Sequence, residues 1–300
     1  MSLFQKRESL IQNIAYMGLM AAINVIAVVI MYFVPFMFLP FALFMPLTST
    51  VVTLFCKKRY FPIYAVATIG LCFLVSLNNI SDTLFYVIPS IASGFTFGLM
   101  IEYKFPSIVS IFVTSLIYTG LSYAVIPLIA FIYGQDMVLV VATIFALKDF
   151  QYLAYVVPSF ILCIGLIQST ITFALIINQL PKLGIQNEEK EYLYLYEGFG
   201  LLGSLLSMLA GFFFKEFTLF FMIFAVFFGI YELFNRGVKK EKIPLIIDGA
   251  LAIVFIIVFA LLYQYVEKPL GLSLINILFD MFLMVGIVYN TLSRRTKPLE

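Results

Sequence analysis

Residues Ala15–Arg59, AYMGLMAAINVIAVVIMYFVPFMFLPFALFMPLTSTVVTLFCKKR, decide the fold. From about Ile14 to Phe33 no residue is charged. About 20 apolar residues, each rising about 1.5 Å, cross a hydrocarbon core about 30 Å thick. A second apolar run, about Phe41 to Cys56, follows a turn marked by Pro35 and Pro40. The turn carries no Lys or Arg, whereas Lys6 and Arg7 precede the hairpin and Lys57, Lys58 and Arg59 close it. Short cytoplasmic loops collect basic residues, so the stretch predicts a membrane hairpin with its open end inside.

Composition admits no other class. Of 300 residues, 63% are hydrophobic and 11% charged, too few polar groups to cover a water-soluble surface. The first span is longer than the apolar core of a signal peptide and lacks a small-residue cleavage site, so it is expected to remain as helix one. Cys56, Cys72 and Cys163 are scattered and match neither a CxxC motif nor a metal-ligand spacing. His is absent, which removes the commonest general base and metal ligand, and Trp is absent, leaving 18 Tyr and 34 Phe to anchor the interfaces.

Eight further spans follow: about Phe61–Leu77, Leu84–Ile101, Ser107–Tyr133, Tyr152–Ile177, Gly198–Phe214, Phe217–Phe234, Ile243–Tyr265 and Leu272–Leu292. Gly94 and Gly98 give span four a GxxxG face. Gly200, Gly203, Ser204, Ser207 and Gly211 give span seven a small-residue side, and both patterns suit close helix packing. The longest outer connection, Gly134 to Gln151, has an apolar middle, Met137–Leu147, suited to the interface. The most polar stretch lies between spans six and seven. It divides the chain into a six-span module (1–178), a cytoplasmic linker (179–197) and a four-span module (198–300). With ten spans and the N-terminus inside, all 18 Lys and Arg are assigned: 15 inside, and Lys148, Lys215 and Lys268 outside. That bias predicts an all-α protein of ten transmembrane helices with both termini cytoplasmic. The modules show no inverted repeat.

Charge within hydrocarbon is costly, about 2.5 to 3.5 kcal/mol for Asp on insertion scales. Asp280 stands out in span ten, with Asn276 one turn earlier on the same face. Two readings stay open for it: a proton, cation or substrate site, or a protonated carboxyl hydrogen-bonded to another helix. Asn24, mid-span in helix one, is expected to make an interhelical hydrogen bond. Glu232 and Asp248 are expected near the interface, among Arg236, Lys239, Lys240 and Lys242. Outside, Asn78, Asn79, Ser81 and Asp82, with Lys148, Asp149 and Gln151, are the polar groups available to shape a binding mouth. Ala15, Gly18 and Ala22 share one face of helix one, suited to packing or to docking a partner. No HExxH, GxSxG or phosphate-binding loop is present. No enzymatic activity, cofactor, metal or nucleic-acid partner is therefore expected, and ATP-driven work would need another subunit.

Four segments carry a family likeness: AYMGLMAAINVI in helix one, VPFMFLPFALFMP in the turn, CKKRY after it and IPSIASGFTFGLM in span four. With the closing FDMFLMVGIVYNTLSRR and the ten-span layout, they resemble the YybS-like family of bacterial membrane proteins. That family is similar to the substrate-binding S components of energy-coupling-factor (ECF) vitamin transporters, a likeness covering about residues 10 to 180. It implies a six-helix module in the bacterial cell membrane that binds a small nutrient from outside. Such a module docks through helix one onto a transmembrane coupling subunit driven by two ATPases. The docking AxxxA of S components falls here on Gly18 and Ala22, while the four C-terminal spans have no counterpart in an ordinary S component. The alternatives are a non-transporting assembly or scaffold protein, and a secondary transporter using Asp280 as proton carrier. A topology reporter fused after Lys190 is expected to read as cytoplasmic; an outside reading would refute the ten-span arrangement.

Overall fold

The computed structural model describes residues 6–34, 37–77, 81, 83–134, 139, 153–177, 193–239, 241–262 and 274–296. Ten α-helices run through them: α1 Leu10–Phe33, α2 Phe38–Phe55, α3 Phe61–Val75, α4 Ile88–Glu102, α5 Ser107–Tyr133, α6 Leu153–Ile177, α7 Leu193–Phe213, α8 Thr218–Lys239, α9 Lys242–Leu262 and α10 Ile275–Thr296. Among the described residues nine helical segments are long and apolar enough to cross a membrane. A tenth, Pro40–Phe55, is apolar but shorter. Large apolar side chains stand bare on the outside, Ile11 80% and Phe131 88% exposed, as lipid permits and water does not. The chain is thus an all-α, multi-pass membrane protein.

It forms two compact units, one of residues 1–148 and 160–190, the other of 149–159 and 191–300. In the first, α1 begins at Ser9, whose hydroxyl caps the helix by accepting from Gln12 N. Asn13, fully buried, then stitches the first hairpin shut. Its Nδ2 donates to the carbonyls of Arg7 and Ser9, and its Oδ1 accepts from Lys57 N at 2.8 Å, while Arg7 N donates to Phe55 O. The ends of α2 and α4 meet at this same basic end, where Lys58 pairs with Glu102 at 3.0 Å.

Pro46 lies within α2 and has no N–H to donate to the carbonyl of Ala42 one turn back. Gln168 of α6 supplies the missing donor, Nε2 to Ala42 O at 2.8 Å. The GxxxG face of α4 lies against α2: a side-chain carbon on Gly94 would stand 2.7 Å from Ser49 Cβ, and one on Gly98 2.6 Å from Thr53 Cβ. Thr50 bridges the same contact, its hydroxyl donating to the carbonyls of Pro46 and Gly94. A π-helical turn, Thr83–Val87, leads into α4, and α5 ends on Gly134 in the left-handed conformation that glycine adopts freely.

In the second unit α7, α8 and α10 pack closely on glycines. A side chain at Gly203 would collide with Phe224, and one at Gly229 would stand 2.7 Å from Phe279. Replacing Gly98 by Val is expected to cost about 1–3 kcal/mol in unfolding free energy, measured in detergent, as overpacking does. Gly18→Ala, with open space around it, should be neutral or stabilising by up to about 1 kcal/mol.

Candidate functional site

Helix α1 has two unlike faces. Asn13, Tyr16, Met17, Met20, Ala21, Asn24, Ala27 and Val28 are buried in the first unit, while Ala15, Gly18 and Ala22 are exposed. No atom lies within 4 Å of where a Gly18 side chain would start, beyond the helix itself and the chain neighbours of Gly18. Among the described residues the small-residue face therefore packs against nothing near Gly18 and leaves an open surface on α1. Its back is held firmly. Asn24 donates to Tyr64 OH at 3.2 Å and accepts from Thr48 Oγ1 at 3.0 Å, and Tyr64 in turn donates to Thr48, so α1, α2 and α3 share one buried polar knot.

At the end of this unit opposite the basic one, Val28, Met31, Tyr32, Ser76, Thr83, Tyr86 and Val87 line a cleft of about 20 Å³. That is room for about one water. Ser76 and Thr83 share a 2.6 Å hydrogen bond at its wall. The residues expected to shape a nutrient mouth, Asn78, Asn79, Asp82, Lys148, Asp149 and Gln151, lie outside the described residues, as does the apolar middle of the 134–151 connection apart from position 139.

The second unit holds two buried polar tiers. At the end bearing Lys239 and Lys242, Arg236 is 1% exposed and reaches groups on three helices. Its Nε donates to Glu232 on α8 at 3.1 Å, its Nη1 to Asp248 on α9, and its Nη2 to the carbonyl of Phe282 on α10. Glu197 of α7 joins them, accepting from Asn290 at 3.4 Å. Gly286 makes the convergence possible, since a side chain there would stand 2.5 Å from Arg236 Nη2, 2.9 Å from Glu232 Oε1 and 3.0 Å from Glu197 Oε1. Glu232, Arg236 and Asp248 thus face into the bundle, at the helix ends that also carry the outward Lys239. Helical spacing explains the difference: positions 232 and 236 are one turn apart and face inward together, while Lys239 faces outward. Three carboxyl groups thus gather around one guanidinium.

The second tier lies toward the opposite helix ends, where α8 and α10 begin. Asp280 falls in the second turn of α10 and accepts a hydrogen bond from Ser204 of α7. Asn276, one turn before it, is fully buried. Ser207, one turn along α7 from Ser204, donates to the carbonyl of Thr218 on α8 at 2.9 Å. Phe228, Leu283 and Gly200 fill the layer between the two tiers.

Spacing alone singled out Asn24, Asn276, Asp280 and the Ala15–Gly18–Ala22 face. It passed over Asn13 and Gln168, and it left Glu197 in the cytoplasmic linker, whereas Glu197 is buried in α7, which begins at Leu193. A proline inside a span, needing a donor for the carbonyl four residues back, was the available pointer to Gln168. Among the described residues no group of three or more His, Cys, Asp or Glu is arranged to hold a metal ion. Searches against protein-family models, curated proteins and solved structures return no match for this chain.

Removing the arginine tests the charged cluster. Arg236→Met leaves buried carboxylates without their counter-ion, and a loss of about 3–5 kcal/mol is expected in chemical unfolding. Lys58→Met, whose pair with Glu102 is about one-third exposed, should cost under about 1 kcal/mol in the same measurement.

Proposed function

We propose that the first unit is an S-component-like capture module for a small nutrient, taken from outside and passed to an ATP-driven importer. It sits in the bacterial cell membrane with both termini inside, and α1 carries the surface that meets a transmembrane coupling subunit with its two ATPases. The observation that carries this reading is the outward, unfilled Ala15–Gly18–Ala22 face backed by the buried Asn24–Thr48–Tyr64 knot. In hydrocarbon, small residues let two helix backbones approach closely, and a surface of this kind gains most from a partner helix when its own helix is rigid. The likeness of the first six spans to S components supports the same assignment.

Two other readings each have an observation behind them. The same open face would serve a membrane assembly or scaffold protein. Asp280, held within the helices of the second unit, is the feature a proton-coupled secondary transporter would use.

Affinity purification of the full chain from its native membranes, with mass spectrometry of all companions, separates these. A coupling subunit and two ATPases are expected, with recovery falling about tenfold or more in Gly18→Leu while the variant's own melting temperature holds. Recovery of unrelated membrane proteins in place of ATPases would overturn importer function in favour of assembly. Uptake that follows a pH gradient and disappears in Asp280→Asn would favour the secondary transporter.

A further inference from the structure

Apart from the carboxyl groups around Arg236, three side chains of the second unit carry buried polar atoms with no hydrogen-bond partner among the described residues. Asn276 is 0% exposed and neither its Oδ1 nor its Nδ2 has a hydrogen-bond partner. The hydroxyl of Thr218 is in the same condition, and so is Asp280 Oδ1, the carboxylate oxygen that Ser204 does not reach. A buried amide or hydroxyl left unpaired is destabilising, so three together call for a common explanation.

Their positions supply one. The Ser204 contact aligns Asp280 with α7, and Ser207, one turn further along α7, is bonded to Thr218 at the start of α8. Asn276 lies one turn from Asp280 in that same direction, on the same face of α10. The unpaired atoms therefore belong to one stretch of the α7, α8 and α10 bundle, and they include a carboxylate oxygen, an amide oxygen and a hydroxyl oxygen. Oxygen donors of this kind suit a hard cation.

Charge balance narrows the choice. An anion would meet the Asp280 carboxylate, a neutral ligand would leave that charge uncompensated inside the bundle, and a divalent ion would replace one excess charge with the opposite one. The opposed dipoles of the α7–α8 hairpin largely cancel, and the amino end of α10 adds only about half a positive charge. A proton would neutralise Asp280 but leave Asn276 and Thr218 as they are.

We propose that the second unit binds a partly hydrated monovalent alkali cation, with Asp280 Oδ1 and Asn276 Oδ1 as its principal ligands and the Thr218 hydroxyl as a third. Asn276 Nδ2 then donates to a water carried by the ion. The site stands independently of nutrient capture by the first unit, and its test needs no importer partner.

The test uses the purified full-length chain in detergent, with radioactive sodium and rubidium binding and melting temperature both measured at constant ionic strength against choline. Saturable binding of one alkali ion per chain is expected, lost in Asp280→Asn and weakened about tenfold or more in Asn276→Leu. Because leucine removes the unmet amide, the melting temperature of Asn276→Leu in choline should equal or exceed that of the parent. Absence of saturable binding of either ion would overturn the proposal, as would equal binding by both variants. It would also fall if Asn276→Leu melted well below the parent in choline, marking the amide as a structural link, or if acid alone stabilised the chain with no alkali-ion dependence.

Discussion

Hydrocarbon offers no hydrogen bonds, so every polar group this chain carries into the membrane must find its partner within the protein. The first unit satisfies that demand with a few side chains that each serve two helices. Asn13 closes the basic end of the first hairpin, Asn24 joins α1 to α2 and α3, and Gln168 completes the hydrogen bonding that Pro46 breaks. Between these links the packing is close and apolar, with Gly94 and Gly98 letting α4 settle on the backbone of α2. One face of α1 is consequently fully committed, and the opposite face is free to meet something else.

The second unit answers the same demand differently. Its glycines bring α7, α8 and α10 together, and the groups they enclose are charged as well as polar. Arg236 gathers groups from α8, α9 and α10 at one level, and Gly286 leaves the space in which Glu197 from α7 also arrives. A buried ion cluster of this kind adds little net stability, because desolvation offsets the attraction, but losing one member is costly. Its value lies in fixing which helices meet and at what height. A helical scaffold with no charge to place would have no use for such an arrangement, and the cluster therefore sets the second unit apart as more than an extension of the first.

The all-α membrane architecture was legible from the chain because apolar runs about 20 residues long have few other outcomes in a protein this poor in charge. The close approaches at Gly94, Gly98, Gly200 and Gly203 were legible for a similar reason, since small residues at helical spacing have a recognised use in lipid. The polar partners were harder to see. Glu232, Arg236 and Asp248 stand in a run of lysines, and the distinction between a loop charge and a bundle charge depends on which way a helix has turned when it reaches the interface. Gln168 and Ala42 are 126 positions apart, and only the proline between α2's two halves hinted that one would need the other. Asn13 was obscured by lying just before the apolar run, where a polar residue attracts no notice. In each case a local pattern identified a need, and the folded chain alone showed which distant residue met it.

The bond from Gln168 to the Ala42 carbonyl bears on how this protein is made. During synthesis α2 enters the membrane with that carbonyl unmatched, because Pro46 cannot answer it and the sixth helix has yet to leave the ribosome. The first hairpin must therefore wait, with a polar defect close to its turn, while more than a hundred further residues are inserted. Completion of the first unit is tied to the arrival of α6, so a chain stalled before that point presents an unfinished bundle in which the Ala42 carbonyl is still unanswered.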